Sequence, residues 1–240
     1  MNSRQEREEI LVKNIFNNIK AYFVNINRHK TATIQESIFV VLDTETTGLD
    51  VNEGHRIVSI AATKIKNLKI TNEILDELVN PECQISERSI EIHHITQQQV
   101  QNKPALKELD YKIYNFLEKT VLVGHNLNFD IKFIIKSAPY TTIAHRVKNI
   151  VTIDTIYLAA GIYPHFNSYE LSFLCETLKI QTEDQTRHSA LGDSIITARL
   201  FLHLLEEASK KNVTTIGGIL HLCQQGKQIQ ILMKDFNKIH

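Results

Sequence analysis

The chain has 240 residues, 42% of them hydrophobic and 22% charged, with a formal net charge of +0 at pH 7. This length suits one domain with extensions, or two small domains, and the composition excludes a collagen-like or disordered chain. A neutral chain also does not predict tight, non-specific binding to long duplex nucleic acid.

The cysteines and the apolar segments indicate in which cellular compartment the protein is expected. Cys83, Cys175 and Cys223 are widely separated and form no CxxC pair, so they predict neither a zinc ribbon nor a redox motif. The opening residues MNSRQEREEI have no apolar signal segment, and no run approaches the roughly 18 apolar residues that a membrane span needs. We therefore expect a reduced, cytoplasmic protein that does not contact a membrane.

The first part of the chain predicts a helix followed by strands. Residues 5–27 carry apolar side chains at three- and four-residue steps, which predicts an amphipathic helix that packs on the main domain or binds a partner. A polar connector runs to residue 36. Three β-type segments at 38–42, 57–65 and 70–79 then predict a meander.

The rest of the chain predicts helices alternating with short strands. Two strands are expected at Val121–Gly124 and 150–153, giving five in all. Helices are expected after Pro104, at 128–136, from Thr155 and at 189–209, and a short one at 213–223 weakened by Gly217 and Gly218. This pattern predicts an α/β fold with a mixed five-stranded sheet flanked by helices.

Three groups of polar residues lie at the ends of these predicted elements. Asp43 and Glu45 follow a buried strand at a spacing that places both carboxylates on one face. Asp130 lies in the first turn of a helix, and His188 and Asp193 lead into the long helix. Each group alone is weak, because the acidic pair is expected about three times by chance and the others fit ordinary helix starts.

Together the three groups carry a resemblance. Their order and separation in residues 41–49, 123–130 and 188–193 resemble the DEDDh exonucleases. More narrowly, the chain is similar to the DnaQ-like group, which includes the epsilon proofreading subunit and the PolC-type exonuclease domain of bacterial DNA polymerase III. Residues 152–155 resemble that group's strand-to-helix junction. The resemblance covers about residues 36–207 and leaves extensions at 1–35 and 208–240, the latter without an assigned role.

The resemblance implies an RNase H-like fold and a catalytic site with two divalent cations, Mg²⁺ or Mn²⁺. Asp43 would bridge the two cations, and Glu45 and Asp193 would hold the one that binds the attacking water. Asp130 would support the second cation at the leaving-group side. His188 would take the proton from the water. Oxygen ligands of this kind are those that Mg²⁺ prefers, and two cations can stabilise both oxygens of an in-line displacement.

The resemblance also suggests residues that contact the substrate. These are Thr44, Thr46, Thr47, Leu49, His93, Asn126 and Phe129. His94 stands where the family usually has glycine, so a left-handed backbone position is expected to be lost there. Asp154 lies near the site in the family but is not a ligand, and we treat it as structural.

The predicted function is therefore 3′→5′ exonuclease activity on DNA, preferably at single-stranded or frayed 3′ ends, with release of nucleoside 5′-monophosphates. A role in proofreading or repair, with a polymerase or repair partner, would follow. One alternative keeps the chemistry and changes the substrate to RNA 3′ ends, as in RNase T or oligoribonuclease. Another is a catalytically silent scaffold, against which stands the presence of all four carboxylates and the histidine.

Overall fold

The structure is a computed structural model that describes residues 31–239, with side chains up to residue 233. The helix predicted at residues 5–27 lies outside the described residues. The strands are β1 Phe39–Thr46, β2 Ile57–Lys66, β3 Lys69–Leu78, β4 Val121–Gly124 and β5 Thr152–Asp154. The helices of the described residues are α1 Glu87–His93, α2 Gln97–Val100, α3 Asp110–Phe116, α4 Leu127–Ser137, α5 Thr142–Asn149, α6 Thr155–Ile162, α7 Leu171–Leu178, α8 Ala190–Lys210 and α9 Ile216–Ile239. Short 3₁₀ helices occupy Val51–Glu53 and Leu106–Leu109.

The five strands form one mixed sheet in the order β3-β2-β1-β4-β5. The meander of β1, β2 and β3 is antiparallel, whereas β1 pairs with β4, and β4 with β5, in parallel. The prediction of a mixed five-stranded sheet flanked by helices is confirmed. Strand β1 is central, so its end is the point at which side chains from both layers of helices can meet.

The residues of β1 alternate between two hydrophobic cores. Phe39 and Val41 pack into the core that contains α6, α8 and α9, while Val40 and Leu42 pack into the core under α4 and α5. All four are buried, which explains why this segment is continuously apolar in the sequence. The period of two continues beyond Leu42 and decides which helix each polar residue faces.

The long helix α8 covers the sheet on one face. Its N-cap residue Ser189 accepts a hydrogen bond from the Gly192 N–H, which ties down one of the unpaired donors at the helix start. Further along, Phe201 packs edge-on against Phe39 of β1 with ring centroids 5.0 Å apart. The helix therefore enters the sheet region with its first turn held over the end of β1.

The C-terminal helix α9 corrects the prediction for residues 213–223. It begins at Ile216 and continues to Ile239, far beyond the predicted end. Gly218 lies in its first turn, where its N–H donates to the Thr215 hydroxyl, so the glycine costs less there than in a helix interior. The segment before it is fixed as well, because Thr33 and Thr215 form an antiparallel bridge.

Helix α9 packs on α6 at very short range. A Cβ atom on Gly226 would lie 1.9 Å from the Tyr157 carbonyl oxygen, and one on Gly161 would lie 2.2 Å from the Leu222 carbonyl oxygen. Only glycine permits this approach of the two backbones. The division of the chain at residues 207 and 208 stays a prediction, but the helix that follows it is packed against the predicted domain.

None of the helices in residues 31–239 combines the length and apolar character needed to cross a membrane.

Candidate active site

Three carboxylates meet at the end of β1. Asp43 and Glu45 continue the face of Val41, which is the face covered by α8, and Asp193 lies in the first turn of α8. One carboxylate oxygen from each of Asp43, Glu45 and Asp193 lies within 4.8 Å of the other two. The structure thus brings together three of the four predicted ligands, from the first and third sequence groups.

The fourth predicted ligand, Asp130, approaches from the other layer of helices. It lies in the first turn of α4 and is only 4% exposed. The hydroxyl of Thr44, which points to the α4 face of β1, donates a 2.6 Å hydrogen bond to Asp130 Oδ1. Thr44 therefore orients a candidate ligand, and the Asp130 charge is near enough to raise the pKa of Asp43.

Burial raises the pKa of all four carboxyl groups, and neighbouring carboxylates of the site add to this for Asp43 and Glu45. Burial is the largest cause for each, and it raises the pKa of Glu45 and of Asp130 to about 7. Burial and the neighbouring Asp130, Glu45 and Asp193 raise the pKa of Asp43 well above its usual range. Burial also raises the pKa of Asp193, against a lowering effect of Arg187. Four such groups in one place are costly without a cation.

Arg187 is part of the site, although the sequence analysis did not single it out. Its Nη1 lies 2.9 Å from Asp193 Oδ1, and its charge lowers the pKa of Asp43, Glu45 and Asp193. In the sequence, Arg187 is marked only by its position immediately before His188, in a polar stretch in which no feature distinguishes a site residue from its neighbours. A cationic side chain thus faces the carboxylate cluster from the approach to α8.

His188 lies at the rim of the cluster. It adopts a left-handed conformation with φ of 57°, and its backbone N–H donates to Asp193 Oδ2 at 3.2 Å. The residue is exposed. The backbone of His188 therefore orients Asp193, while its imidazole stays accessible to solvent.

The residues present fit divalent cations. The donors are carboxylate oxygens, which suit Mg²⁺ and Mn²⁺. Asp193 Oδ1 is buried and, despite the nearby Arg187 guanidinium, receives no well-directed hydrogen bond from the described residues. A buried carboxylate oxygen in that condition is suited to a cation.

The end of β1 and the turn after it contain three predicted substrate-contact residues, Thr46, Thr47 and Leu49. Thr47 is fully buried, and its hydroxyl contacts His55 Nδ1 at 3.1 Å and accepts from the Arg56 N–H at 3.1 Å. A substrate contact through this side chain would require that network to open, so the side chain supports the turn. Thr46 is also buried and donates to the Gly48 carbonyl, whereas Leu49 is 78% exposed and free to meet a ligand.

The loop with His93 and His94 corrects one expectation. His94 adopts φ of 60° at the C-terminus of α1, so the left-handed position usually filled by glycine is retained by a histidine. A non-glycine residue there costs of order 1 kcal/mol. The neighbouring His93 is buried, its Nδ1 accepts from the Ile95 N–H, and its Nε2 has no well-formed hydrogen bond within the described chain.

The last two predicted substrate-contact residues, Asn126 and Phe129, lie where β4 leads into α4. Asn126 is exposed and left-handed, with φ of 60°, and Phe129 is half-buried with its ring 4.6 Å from that of Phe133. Asp154 holds this segment, since its carboxylate accepts from the N–H groups of Asn126, Leu127 and Ile156. These bonds join the starts of α4 and α6, which agrees with the structural role expected for Asp154.

The fold and the site together indicate the class of protein to which the chain belongs. A five-stranded sheet of this order, with carboxylates at the end of its central strand and on two flanking helices, is an RNase H-like fold with an acidic site. A family model described as Exonuclease matches residues 40–201. The chain belongs to this exonuclease family, and the predicted DnaQ-like relationship is confirmed.

Relatives among known proteins agree with this. The DNA polymerase III subunit epsilon-like protein of Rhodobacter capsulatus is 37% identical over 201 residues, 83% of this chain and 28% of that protein. A PolC-type DNA polymerase III of Thermotoga petrophila is 34% identical over 231 residues, 90% of this chain and 16% of that protein. The chain thus spans less than a third of the length of these two relatives. The epsilon subunit of Rickettsia conorii is 33% identical over 168 residues, 69% of this chain and 73% of the subunit.

Solved structures show the same fold. Exonuclease X in complex with 5′ overhanging duplex DNA superposes with a TM-score of 0.61 at 26% identity, over 77% of this chain and 99% of that one. E. coli Exonuclease I in complex with a dA16 oligonucleotide gives a TM-score of 0.61 over 73% of this chain and 42% of that one. At 18% identity, the second similarity is one of fold alone.

Proposed function

We propose that this protein is a metal-dependent 3′→5′ exonuclease that removes nucleotides from DNA ends and releases nucleoside 5′-monophosphates. The observation that carries the proposal is the approach of Asp43, Glu45 and Asp193 to within 4.8 Å, with Asp130 beside them, in a chain of the exonuclease family. The cluster indicates where the phosphodiester bond would be hydrolysed, and the family indicates the class of reaction.

The proposed roles follow from the placement of the side chains. Asp43 lies with Glu45 and Asp193 and is near enough to Asp130 for that charge to raise its pKa, so it would bridge two cations, with Glu45 and Asp193 on one and Asp130 on the other. Two divalent cations, when bound, would supply Lewis-acid stabilisation of the attacking and leaving oxygens. Water would attack the last phosphorus, and the bond from phosphorus to the 3′ oxygen of the preceding nucleotide would break.

His188 is the proposed base for that step. Its imidazole is exposed at the rim of the cluster, and histidine is the side chain that most often transfers protons in catalysis. It would take the proton from water as the bond to phosphorus forms. The leaving 3′ oxygen would end as a hydroxyl on the shortened strand, and the phosphate would remain on the released nucleotide.

DNA is the proposed substrate. Two relatives are named as the DNA polymerase III subunit epsilon or as a protein like it, and Exonuclease X, a solved structure at 26% identity, is in complex with duplex DNA that has a 5′ overhang. The net charge of +0 favours an enzyme that engages a short single-stranded or frayed end over one that grips long duplex. A polymerase partner, a proofreading or repair role and a cytoplasmic location are proposed on the same relatives.

The experiment compares matched 5′-labelled single-stranded DNA and RNA, each incubated with Mg²⁺ or Mn²⁺. We expect a ladder that shortens from the 3′ end, faster on DNA, and absent both with EDTA and in the Asp43→Ala variant. Faster shortening of RNA would replace the substrate assignment by the RNA-trimming alternative. A folded protein that cleaves neither strand would contradict the proposed activity and favour the scaffold alternative.

A further inference from the structure

A groove opens beside the acidic site, between the β4–α4 segment, the loop before α7 and the C-terminal helix α9. Its volume is about 570 Å³, within the range of roughly 300–1,000 Å³ typical of small-ligand pockets. His125 and Asn126 form one wall, residues 167–171 a second, and Gln230 and Met233 of α9 a third. The third wall comes from a helix outside the residues 40–201 that match the exonuclease family.

The contact between α6 and α9 holds this third wall in place. Gly226 lies one helical turn before Gln230, and its backbone touches the Tyr157 carbonyl without room for a side chain. The amide of Gln230 donates to the sulfur of Met233 at 3.8 Å, so the two side chains lie side by side. The helix therefore presents a fixed pair of side chains to the groove.

The groove lies close to the proposed active site, because Asn126 of its wall is about one helical turn from the candidate ligand Asp130. Asn126 precedes α4 directly, and the same helix carries Phe129 and the candidate ligand Asp130 in its first turn. His125 is anchored by a 2.9 Å hydrogen bond between its Nδ1 and the Thr155 hydroxyl. A strand whose last phosphate lies at the carboxylates thus has this groove beside it.

The lining of the groove suits nucleobases better than phosphates. Within the described residues, no lysine or arginine lines it, and it contains the carboxylate of Glu170. Three side-chain amides, Asn126, Asn167 and Gln230, can pair with the donors and acceptors on base edges. Ile156, Leu171 and Met233 supply apolar surface for the faces of bases.

We propose that this groove binds the bases immediately 5′ of the terminal nucleotide and that Gln230 and Met233 of the C-terminal helix are substrate-binding residues. The inference rests on the proposed nuclease function and extends it. It assigns α9 the role of gripping the strand that remains after cleavage, so that substrates with nucleotides at this position bind more tightly than those without.

The test compares two substrates of the purified full-length chain. One is a short single-stranded oligodeoxythymidylate, and the other is the p-nitrophenyl ester of thymidine 5′-monophosphate, which has a leaving group but no upstream strand. The variant is Gln230→Ala combined with Met233→Ala. The matched control is Ile231→Ala, because Ile231 lies on the same helix, is 52% exposed and does not line the groove.

The double variant should raise KM for the oligonucleotide about tenfold, as expected for the loss of a hydrogen bond and an apolar contact, and leave kcat unchanged. It should hydrolyse the ester like the wild type, and Ile231→Ala should match the wild type on both substrates. An unchanged KM for the oligonucleotide, or an equal loss on the ester, would overturn the inference.

A binding measurement separates this inference from the proposed function. Fluorescence anisotropy of a labelled oligodeoxythymidylate, with Ca²⁺ in place of Mg²⁺, needs no cleavage. Binding that weakens about tenfold in the double variant supports the groove even if the wild type proves inactive, an outcome that would overturn only the proposed function. Equal binding by wild type and double variant, or none by either, would overturn the groove as a strand site.

Discussion

Replacing Glu45 by glutamine should stabilise the metal-free protein while abolishing its activity. Glu45 is one of three carboxylates within 4.8 Å of one another, and burial, then Asp193 and Asp130, raise its pKa from 4.5 to about 7. Because the folded-state pKa lies above the unfolded value, the folded protein holds more protons than the unfolded chain between about pH 4.5 and 7. The metal-free fold therefore loses stability as the pH rises through that window.

The size of the stability change follows from the pKa shift of Glu45. A pKa raised from 4.5 to about 7 corresponds to about 3 kcal/mol of unfavourable free energy once Glu45 is ionised. Glutamine has nearly the same shape and no charge, so Glu45→Gln should recover about 2–3 kcal/mol at pH 8. For a chain of this size that is a rise in Tm of about 4–10 °C. At pH 4.5 the wild-type carboxyl is protonated and the gain should vanish.

The assay is thermal unfolding of both proteins in EDTA at several pH values, repeated with Mn²⁺. Mn²⁺ should raise the Tm of the wild type, because a ligand of the folded state stabilises it, and should raise that of Glu45→Gln much less. Glu91→Gln is the matched control, because Glu91 is exposed and distant in sequence from the cluster. A Glu45→Gln protein that is less stable than the wild type at pH 8, or equally stabilised at pH 4.5 and 8, would refute the reasoning.

Three further predictions concern the residues around the cluster. His188→Ala should lower kcat by about 10²–10⁴ while Mn²⁺ binding measured by calorimetry persists, and full activity would remove its role as the base. Arg187→Gln should tighten Mn²⁺ binding about threefold to tenfold, since a cation 2.9 Å from Asp193 Oδ1 no longer competes, and an unchanged affinity would show that this ion pair does not oppose the metal. Gly226→Ala should cost about 1–3 kcal/mol in chemical denaturation, despite alanine's better helix propensity, because its Cβ would lie 1.9 Å from the Tyr157 carbonyl oxygen. A more stable Gly226→Ala protein would show that α9 does not pack on α6 in this way.

The central part of the fold could be read from the sequence because its signals are local. Val40 and Leu42 belong to a continuously apolar run, and strand β4 was predicted with its observed ends, Val121 and Gly124. The three polar groups were also placed correctly at the end of β1 and at the starts of α4 and α8. The approach of the first two groups follows from the parallel pairing of β1 with β4, which brings equivalent strand ends to one edge, and the packing of α8 on β1 adds the third.

What could not be predicted depends on contacts between distant parts of the chain. The full length of α9 was missed because Gly217 and Gly218 lower helix propensity, whereas the close packing of Gly226 on Tyr157 of α6 arises only in the folded chain. Arg187 was missed because its approach to Asp193 depends on the turn before α8, where His188 has a positive φ. The burial of the Thr47 side chain under the turn was not predicted, because it has no local signature in the sequence.

The central claim is that the carboxylate cluster cuts single nucleotides from the 3′ end. The most direct measurement is the first product released from 3′-end-labelled single-stranded DNA in Mn²⁺, by the wild type and by Asp43→Asn. Labelled nucleoside 5′-monophosphate is the expected first product of the wild type, and the variant should release none. Longer labelled fragments as first products, or release by Asp43→Asn at the wild-type rate, would contradict it.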